Sequence, residues 1–162
     1  MSDIIIKAIT EKDIDLIAQI KKLFAQMYEF FTQKGLTISL VKNGEEIWMD
    51  SILPTLNRLN ILFVAVEHDE VIGFIYGYFS FTREHTGSLK VGVISETYVK
   101  PGSRKKGIGK LLVATIENWF ISKDVHSIEL QVICNNESAL SFWGKSGYTR
   151  ESIRFRKEFI KS

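Results

Sequence analysis

Between Val99 and Lys110 the chain reads Val-Lys-Pro-Gly-Ser-Arg-Lys-Lys-Gly-Ile-Gly-Lys, a β-type segment that passes through a basic, glycine-punctuated turn into a helix. Glycines in such a turn remove the side chains that would hold a ligand away from the backbone, so successive N–H groups can point at one anion. The helix that follows leaves its first N–H groups without intrahelical partners and adds a partial positive charge at the same place. Lys100, Arg104, Lys105, Lys106 and Lys110 surround the turn with mobile cations. The chemistry this arrangement serves is the holding of phosphates.

Two common phosphate patterns do not fit. A P-loop starting at Gly102 would need a lysine where Ile108 stands, and a dinucleotide fingerprint starting at Gly107 would put its third glycine at Leu112. The pattern that does match is Arg-x-x-Gly-x-Gly over Arg104 to Gly109, with Pro101 three residues ahead of the arginine. This resembles the acetyl-CoA signature of the GNAT superfamily of N-acetyltransferases. A second stretch, Asn136-Glu-Ser-Ala-Leu-Ser-Phe-Trp-Gly-Lys-Ser-Gly-Tyr148, is similar to the superfamily's Asn-x-x-Ala, aromatic pair and Gly-aromatic sequence in the expected order. The resemblance is most specific from Thr97 to Tyr148, about one third of the chain.

The resemblance implies a central, mostly antiparallel α/β sheet with a βαβ crossover and flanking helices, in which two neighbouring strands splay and the pantetheine arm of acetyl-CoA lies in the gap. Its backbone partners would be Thr97, Tyr98 and Val99. The pyrophosphate would meet Arg104 and the N–H groups of Lys105, Lys106, Gly107, Ile108, Gly109 and Lys110, and the lysine heads could reach the additional ribose phosphate. The implied reaction is direct attack of an amine on the thioester in a ternary complex, without an acyl-enzyme.

Most alkylamines are protonated near neutral pH, so such a reaction benefits from a base. Glu96 is the leading candidate, three residues before Val99 on the strand that would flank the thioester, where period-two alternation puts it on one face with Ile94 and Tyr98. Its other reading is a solvated charge at the sheet rim. Some family members carry a glutamate base on the next strand; that position is Gln131 here, and Glu129 shares its face as a secondary candidate. Where many relatives have a tyrosine able to protonate the departing thiolate, this chain has Trp143, whose indole N–H donates a hydrogen bond without being a usable proton source. Tyr98 is the substitute, and Trp143 either packs against the pantetheine arm or serves the helix core. Asn136 reads equally as a cofactor contact and as a helix N-cap. Cys134 alternates with apolar strand residues and reads as core rather than nucleophile.

For the acceptor, Tyr28 and Glu29, then Glu45, Glu46, Trp48 and Asp50, then Tyr76 and Tyr78 are the candidate lining, since acid with aromatic suits a cation. The function expected is acetyl-CoA-dependent N-acetylation of a primary amine, a small molecule ahead of a protein N-terminus or lysine. A non-catalytic acetyl-CoA-binding regulatory module is the rival from another class, and a nucleic-acid-binding domain a weaker third. Oligomeric state is left open, a homodimer included.

The elements that must position these residues follow from periodicity. Ile4 to Ile9 reads as a strand, and Thr10 with Asp13 as a capping-box-like helix start. Leu16, Ile20, Leu23, Met27 and Phe30 mark a long amphipathic helix that ends near Gly35. A poorer helical pattern covers Gly44 to Leu59, interrupted by Pro54. Ile61 to Glu67 and Val71 to Phe81 have hairpin spacing around His68-Asp69-Glu70, and Leu89 to Val99 reads as their neighbour. Ile108 to Phe120 is helical with one apolar face, Ile128 to Cys134 alternates as a strand, and Ser138 to Lys145 is a short helix stopped at Gly147. Tyr148 to Ile160 reads as a closing β-type tail.

At 162 residues, with 45% hydrophobic and 25% charged side chains, the sequence predicts one globular domain over 1–162. A formal net charge of +2 makes the lysine loop a local feature, which favours a nucleotide-sized anion over duplex nucleic acid. One cysteine excludes an internal disulfide, and three scattered histidines predict no metal site. No apolar run reaches about 18 residues, so no membrane association is expected and the cytoplasm is the expected location.

Overall fold

A computed structural model of the protein describes residues 3–160. Five strands form one sheet in chain order: β1 (Ile5–Ala8), β2 (Asn60–Glu67), β3 (Glu70–Phe81), β4 (Lys90–Val99) and β5 (Ser127–Leu130). The first four are joined antiparallel, and β4 pairs parallel with β5. A parallel pair needs a crossover, and α3 (Ile108–Ser122) supplies it. The helices α1 (Ile14–Gln33), α2 (Gly44–Ile52) and α4 (Glu137–Lys145) complete the fold.

The sheet separates two apolar layers. Ile17, Ile20, Leu23, Phe24 and Met27 of α1, with Met49 and Ile52 of α2, pack on Leu62, Val64, Phe74, Tyr76 and Tyr98. On the other face Ile108, Leu112, Val113, Ile116 and Phe120 of α3, with Trp143 of α4, cover Ile61, Ala65, Ile72, Ile75 and Ile94. Period-two alternation along the strands sorts these side chains, and period 3.6 gives each helix one stripe to meet them.

Local chemistry sets the boundaries. Thr10 and Asp13 do pair, the Thr10 N–H and hydroxyl donating to Asp13 Oδ2 at 2.8 and 3.1 Å, but they close a tight turn, so the regular helix begins at Ile14. The second helix is shorter than its pattern. It ends at Ile52, and Leu53–Thr55 is a single 3-10 turn, because Pro54 lacks an N–H and cannot continue an α-helix. His68 and Asp69 both take positive φ, 49° and 63°, the twist a two-residue hairpin requires.

Two expectations fail at the C-terminal side. The strand expected to run to Cys134 stays in the ladder only to Leu130, because β4 and β5 pair from Val91↔Ser127 to Ile94↔Leu130 and no further. Cys134 is consequently exposed rather than core. The tail after Tyr148 joins no strand, and every residue from Thr149 to Ile160 is exposed. Among the described residues no helix is long and apolar enough to cross a membrane, and no three His, Cys, Asp or Glu side chains are grouped to hold a metal ion.

Candidate active site

The loop before α3 forms a nest of free donors. Lys105 and Gly107 both have positive φ, 64° and 79°, and α3 starts at Ile108 with Gly107 as its N-cap. The first backbone bond of the helix runs from Leu111 N–H to Gly107 C=O at 3.1 Å. The six successive N–H groups from Lys105 to Lys110 therefore have no backbone acceptor among the described residues. A Cβ on Gly107 would meet nothing within 4 Å, so the space over the nest is open. Exposed donors converging at a helix N-terminus fit a diphosphate.

The flanking cations divide. Lys105, Lys106 and Lys110 are exposed at the cradle. Lys100 is ion-paired with Glu70, and Arg104 turns back. Its Nε–H donates to the Val99 carbonyl at 2.9 Å, and its guanidinium lies 5.1 Å from the Phe30 ring centroid and 5.2 Å from that of Tyr98. Arg104 thus ties the end of β4 to α1, while its backbone enters the cradle.

Below the cradle the sheet opens. Beyond Ile94↔Leu130 strand β4 has a partner only in β3. Lys100 N–H donates to the Ile72 carbonyl at 2.9 Å, and by alternation the backbone groups of Tyr98 also face β3. That leaves the N–H and C=O of Thr97 and the N–H of Val99 facing the gap, the Val99 carbonyl being taken by Arg104, while the backbone of Tyr98, also expected to line the gap, faces β3.

A bulge sets the face of Glu96. Tyr76 pairs with Glu96 and Gly77 with Ile94, so Ser95 is an extra residue in β4. Strict alternation would keep Ile94 and Glu96 together. The extra residue instead leaves Ile94 in the α3 layer and turns Glu96, with Tyr98, toward α1 and α2. The reading that joined Glu96 to Ile94 is corrected there, and no residue-type signal marks the bulge.

Glu96 is not a solvated rim charge. Its Oε2 is buried without a hydrogen-bond partner among the described residues, and burial pushes the carboxyl up to about 7 against an opposing contribution from the Ser95 side chain. Tyr28 and Tyr76 lie near enough to feel its charge, and Tyr76 leads into a run of aromatic rings. Trp48 stacks on Phe24 at 4.1 Å between centroids and meets Tyr76 edge-on at 5.7 Å, and Tyr76 leads to Tyr78 at 6.2 Å. Burial raises the Tyr28 and Tyr76 hydroxyls, Tyr76 to about 12, and the Glu96 charge adds to both shifts. The Tyr76 hydroxyl accepts a hydrogen bond from buried Asn60 Nδ2 at 3.0 Å, a support with no sequence motif. Of the acidic residues expected beside these rings, Glu46 is ion-paired to Lys21 at 2.9 Å, and Glu29 and Asp50 are exposed.

The second motif caps and packs α4. Asn136 is buried and caps α4, its Oδ1 accepting from Ala139 N–H at 3.3 Å and from the Ser138 hydroxyl at 3.1 Å. Trp143 is 6% exposed and lies edge-on between Phe142 and Tyr148, each at 5.1 Å. Gly147, with φ +93°, ends the helix. Glu129 is exposed on β5 opposite Val93.

An antiparallel sheet splayed beside a crossover helix, with an N–H cradle at that helix's start, defines an acyl-CoA-dependent transferase scaffold. The chain belongs to the acetyltransferase (GNAT) family, whose profile matches residues 20–148. It is 27% identical over 147 residues to a mycothiol acetyltransferase of Amycolatopsis mediterranei (strain U-32), covering 86% of this chain and 44% of that protein. The chain therefore spans less than half the length of that relative. Among solved structures, an aminoglycoside N-acetyltransferase AAC(6')-Iy in complex with CoA superposes with a TM-score of 0.78 at 17% identity, covering 99% of this chain and 97% of that one. A tetramutant of the BH1408 protein from Bacillus halodurans gives a TM-score of 0.79 at 20% identity, covering 96% of this chain and 99% of that one. At these identities the structures establish the fold.

Proposed function

We propose that the protein transfers the acetyl group of acetyl-CoA to the primary amine of a small cationic molecule, by direct attack in a ternary complex. The observation that carries this reading is the Glu96 carboxylate, one oxygen buried and unpartnered among the described residues, near Tyr28 and Tyr76 on the strand that opens beside the N–H cradle. A carboxyl that titrates near 7 is matched to taking a proton from an ammonium group at neutral pH. Aromatic faces beside a carboxylate attract the same cation before it is deprotonated.

In this reading the N–H groups of Lys105 to Lys110 hold the diphosphate, and Thr97 and Val99 hold the pantetheine arm. Glu96 removes a proton from the bound ammonium, and the freed lone pair attacks the acetyl carbon. As the C–N bond forms and the C–S bond breaks, the nitrogen gives up its second proton to become the amide, and the thiolate takes up a proton from a donor that this released proton restores. Trp143, packed between two rings, is not that donor. Tyr98 lies on the Glu96 face of β4 and is the donor we assign. The names of the mycothiol and aminoglycoside acetyltransferases support a small-molecule acceptor over a protein.

The test is thiol release from acetyl-CoA across polyamines, aminoglycosides, amino acids and short peptides. Release above background with one class of small amine supports the reading. Cofactor binding without release on any of them overturns it in favour of a non-catalytic acetyl-CoA-binding module.

A further inference from the structure

A hydroxyl proton without an acceptor lies in the wall beside Glu96, and a neighbouring amide fixes which way it faces. Asn60, 5% exposed at the start of β2, brings its side-chain nitrogen to three oxygens. Nδ2 lies 3.3 Å from the Ile52 carbonyl, 2.9 Å from Thr55 Oγ1 and 3.0 Å from the Tyr76 hydroxyl. The Ile52 carbonyl can only accept, so the end of the amide that faces it is the nitrogen. The Thr55 hydroxyl gives its own hydrogen to the same carbonyl at 3.3 Å, which leaves its oxygen to accept from Asn60. The two shorter contacts take the two amide hydrogens, and the Tyr76 hydroxyl is thereby an acceptor toward Asn60.

A phenol carries one hydrogen, and an oxygen that accepts on one side donates on another. Among the described residues the Tyr76 O–H donates to no protein group. Tyr76 is 7% exposed, and buried donors without an acceptor are rare, because they forgo the hydrogen bond that water gives them in the unfolded chain.

The surroundings say what this donor can meet. Tyr76 and Glu96 are direct partners across β3 and β4, so their side chains leave the same face of the sheet, with Cβ atoms about 5 Å apart. Trp48 closes one side of the Tyr76 ring, edge-on at 5.7 Å, and Tyr78, 38% exposed, continues the wall to the surface. The site therefore makes two opposite offers, a carboxylate that accepts and a phenol that donates. An ammonium group has only hydrogens to give and satisfies Glu96 alone. A hydroxyl or ether oxygen on the same molecule supplies the lone pair that the Tyr76 O–H requires.

We propose that Tyr76, oriented by Asn60, selects the acceptor: its O–H receives an oxygen of the molecule whose amine meets Glu96, and the preferred substrate is an amino alcohol or amino ether rather than a plain alkylamine. This rests on the reading of Glu96 as the base of an N-acetyltransferase and narrows the class of amine it serves. Asn60 is a positioning residue, acting through Tyr76.

The experiment compares matched amines in which an oxygen-bearing group replaces a hydrocarbon one: ethanolamine with propylamine, propanolamine with butylamine, and bis(aminoethyl) ether with cadaverine. Charge and length are alike within a pair, and the pairs vary the separation of nitrogen and oxygen. Thiol release from acetyl-CoA, as kcat/KM, and calorimetric affinity for the CoA complex are measured on the parent, Tyr76→Phe and Asn60→Asp. The parent should favour the oxygen member of at least one pair by about 10- to 100-fold, as expected when the other member leaves a buried donor unpaired. Tyr76→Phe keeps the ring, removes the hydroxyl and should erase that preference. Asn60→Asp replaces the donor by an acceptor that draws the Tyr76 hydrogen away from the pocket, and should erase it as well. Asn60→Ala, which leaves the hydroxyl free to rotate and should weaken the preference, takes its place if circular dichroism shows the aspartate variant unfolded. A parent with no preference in any pair overturns the proposal. So does a preference that survives Tyr76→Phe while both members of a pair slow alike, which would mean that the hydroxyl serves packing or a water, and so does one that the Asn60 variants keep in full. If no amine releases thiol, the acetyl-transfer reading fails, and the calorimetric preference with its loss in Tyr76→Phe still decides whether the site recognises an oxygen.

Discussion

Replacing Glu96 by glutamine tests the burial of the proposed base without requiring a substrate. Glutamine keeps the shape of the protonated carboxyl and cannot ionise. Burial raises the folded-state value of Glu96 from 4.5 to about 7. Below about pH 4.5 the carboxyl is protonated both folded and unfolded, so its ionisation costs the native state nothing. As pH rises toward 7 the unfolded chain releases the proton first, and the native state loses stability until its own carboxyl ionises. Above 7 the cost is constant. An interval of about 2.5 pH units at about 1.4 kcal/mol each gives about 3.5 kcal/mol. For a chain of this size that is a melting-temperature difference of about 7–14 °C. Melting curves of parent and Glu96→Gln, without acetyl-CoA, should therefore diverge in favour of the variant between about pH 4.5 and pH 7 and keep a constant gap above it. Any cost of burying the amide is the same at every pH and drops out of that divergence. A gap that stays constant across the range would refute the burial argument. In turnover the same variant should lose about 100-fold near neutral pH, together with the rise in rate through pH 7.

Gly107→Val forces a β-branched residue into a positive-φ position and puts its methyl groups over the free N–H groups. The melting shift produced by CoA should be lost, and an unchanged shift would remove the cradle from the site. Trp143→Phe should cost stability through lost packing but reduce turnover less than about tenfold, whereas Tyr98→Phe should lower kcat by about 100-fold with little change in CoA affinity. The reverse order would make the indole N–H an active group. Asn136→Ala should destabilise by about 1 kcal/mol through loss of the α4 cap and leave CoA affinity, measured by calorimetry, unchanged.

The amino-acid sequence by itself determined the order of the elements and the place of the N–H cradle. These depend on interactions within a few residues: period 3.6 in α1 and α3, period 2 in β2 and β3, and the glycines and basic residues between Lys100 and Lys110. A helix start and its free N–H groups are local in the same sense, and so is the cap at Asn136. Tertiary structure decided what depends on distant partners. The bulge at Ser95 is a matter of register between β3 and β4, and it moved Glu96 to the face opposite Ile94. The separation of β4 from β5 ended the ladder at Leu130 and exposed Cys134, although the alternation to Cys134 suits a longer strand. Arg104 carries the charge of a phosphate ligand, yet Phe30, far earlier in the chain, and the Val99 carbonyl direct its guanidinium toward α1. The tail from Thr149 has the alternation of a strand and no partner strand among the described residues of its own chain, because pairing is a property of two segments and periodicity of one.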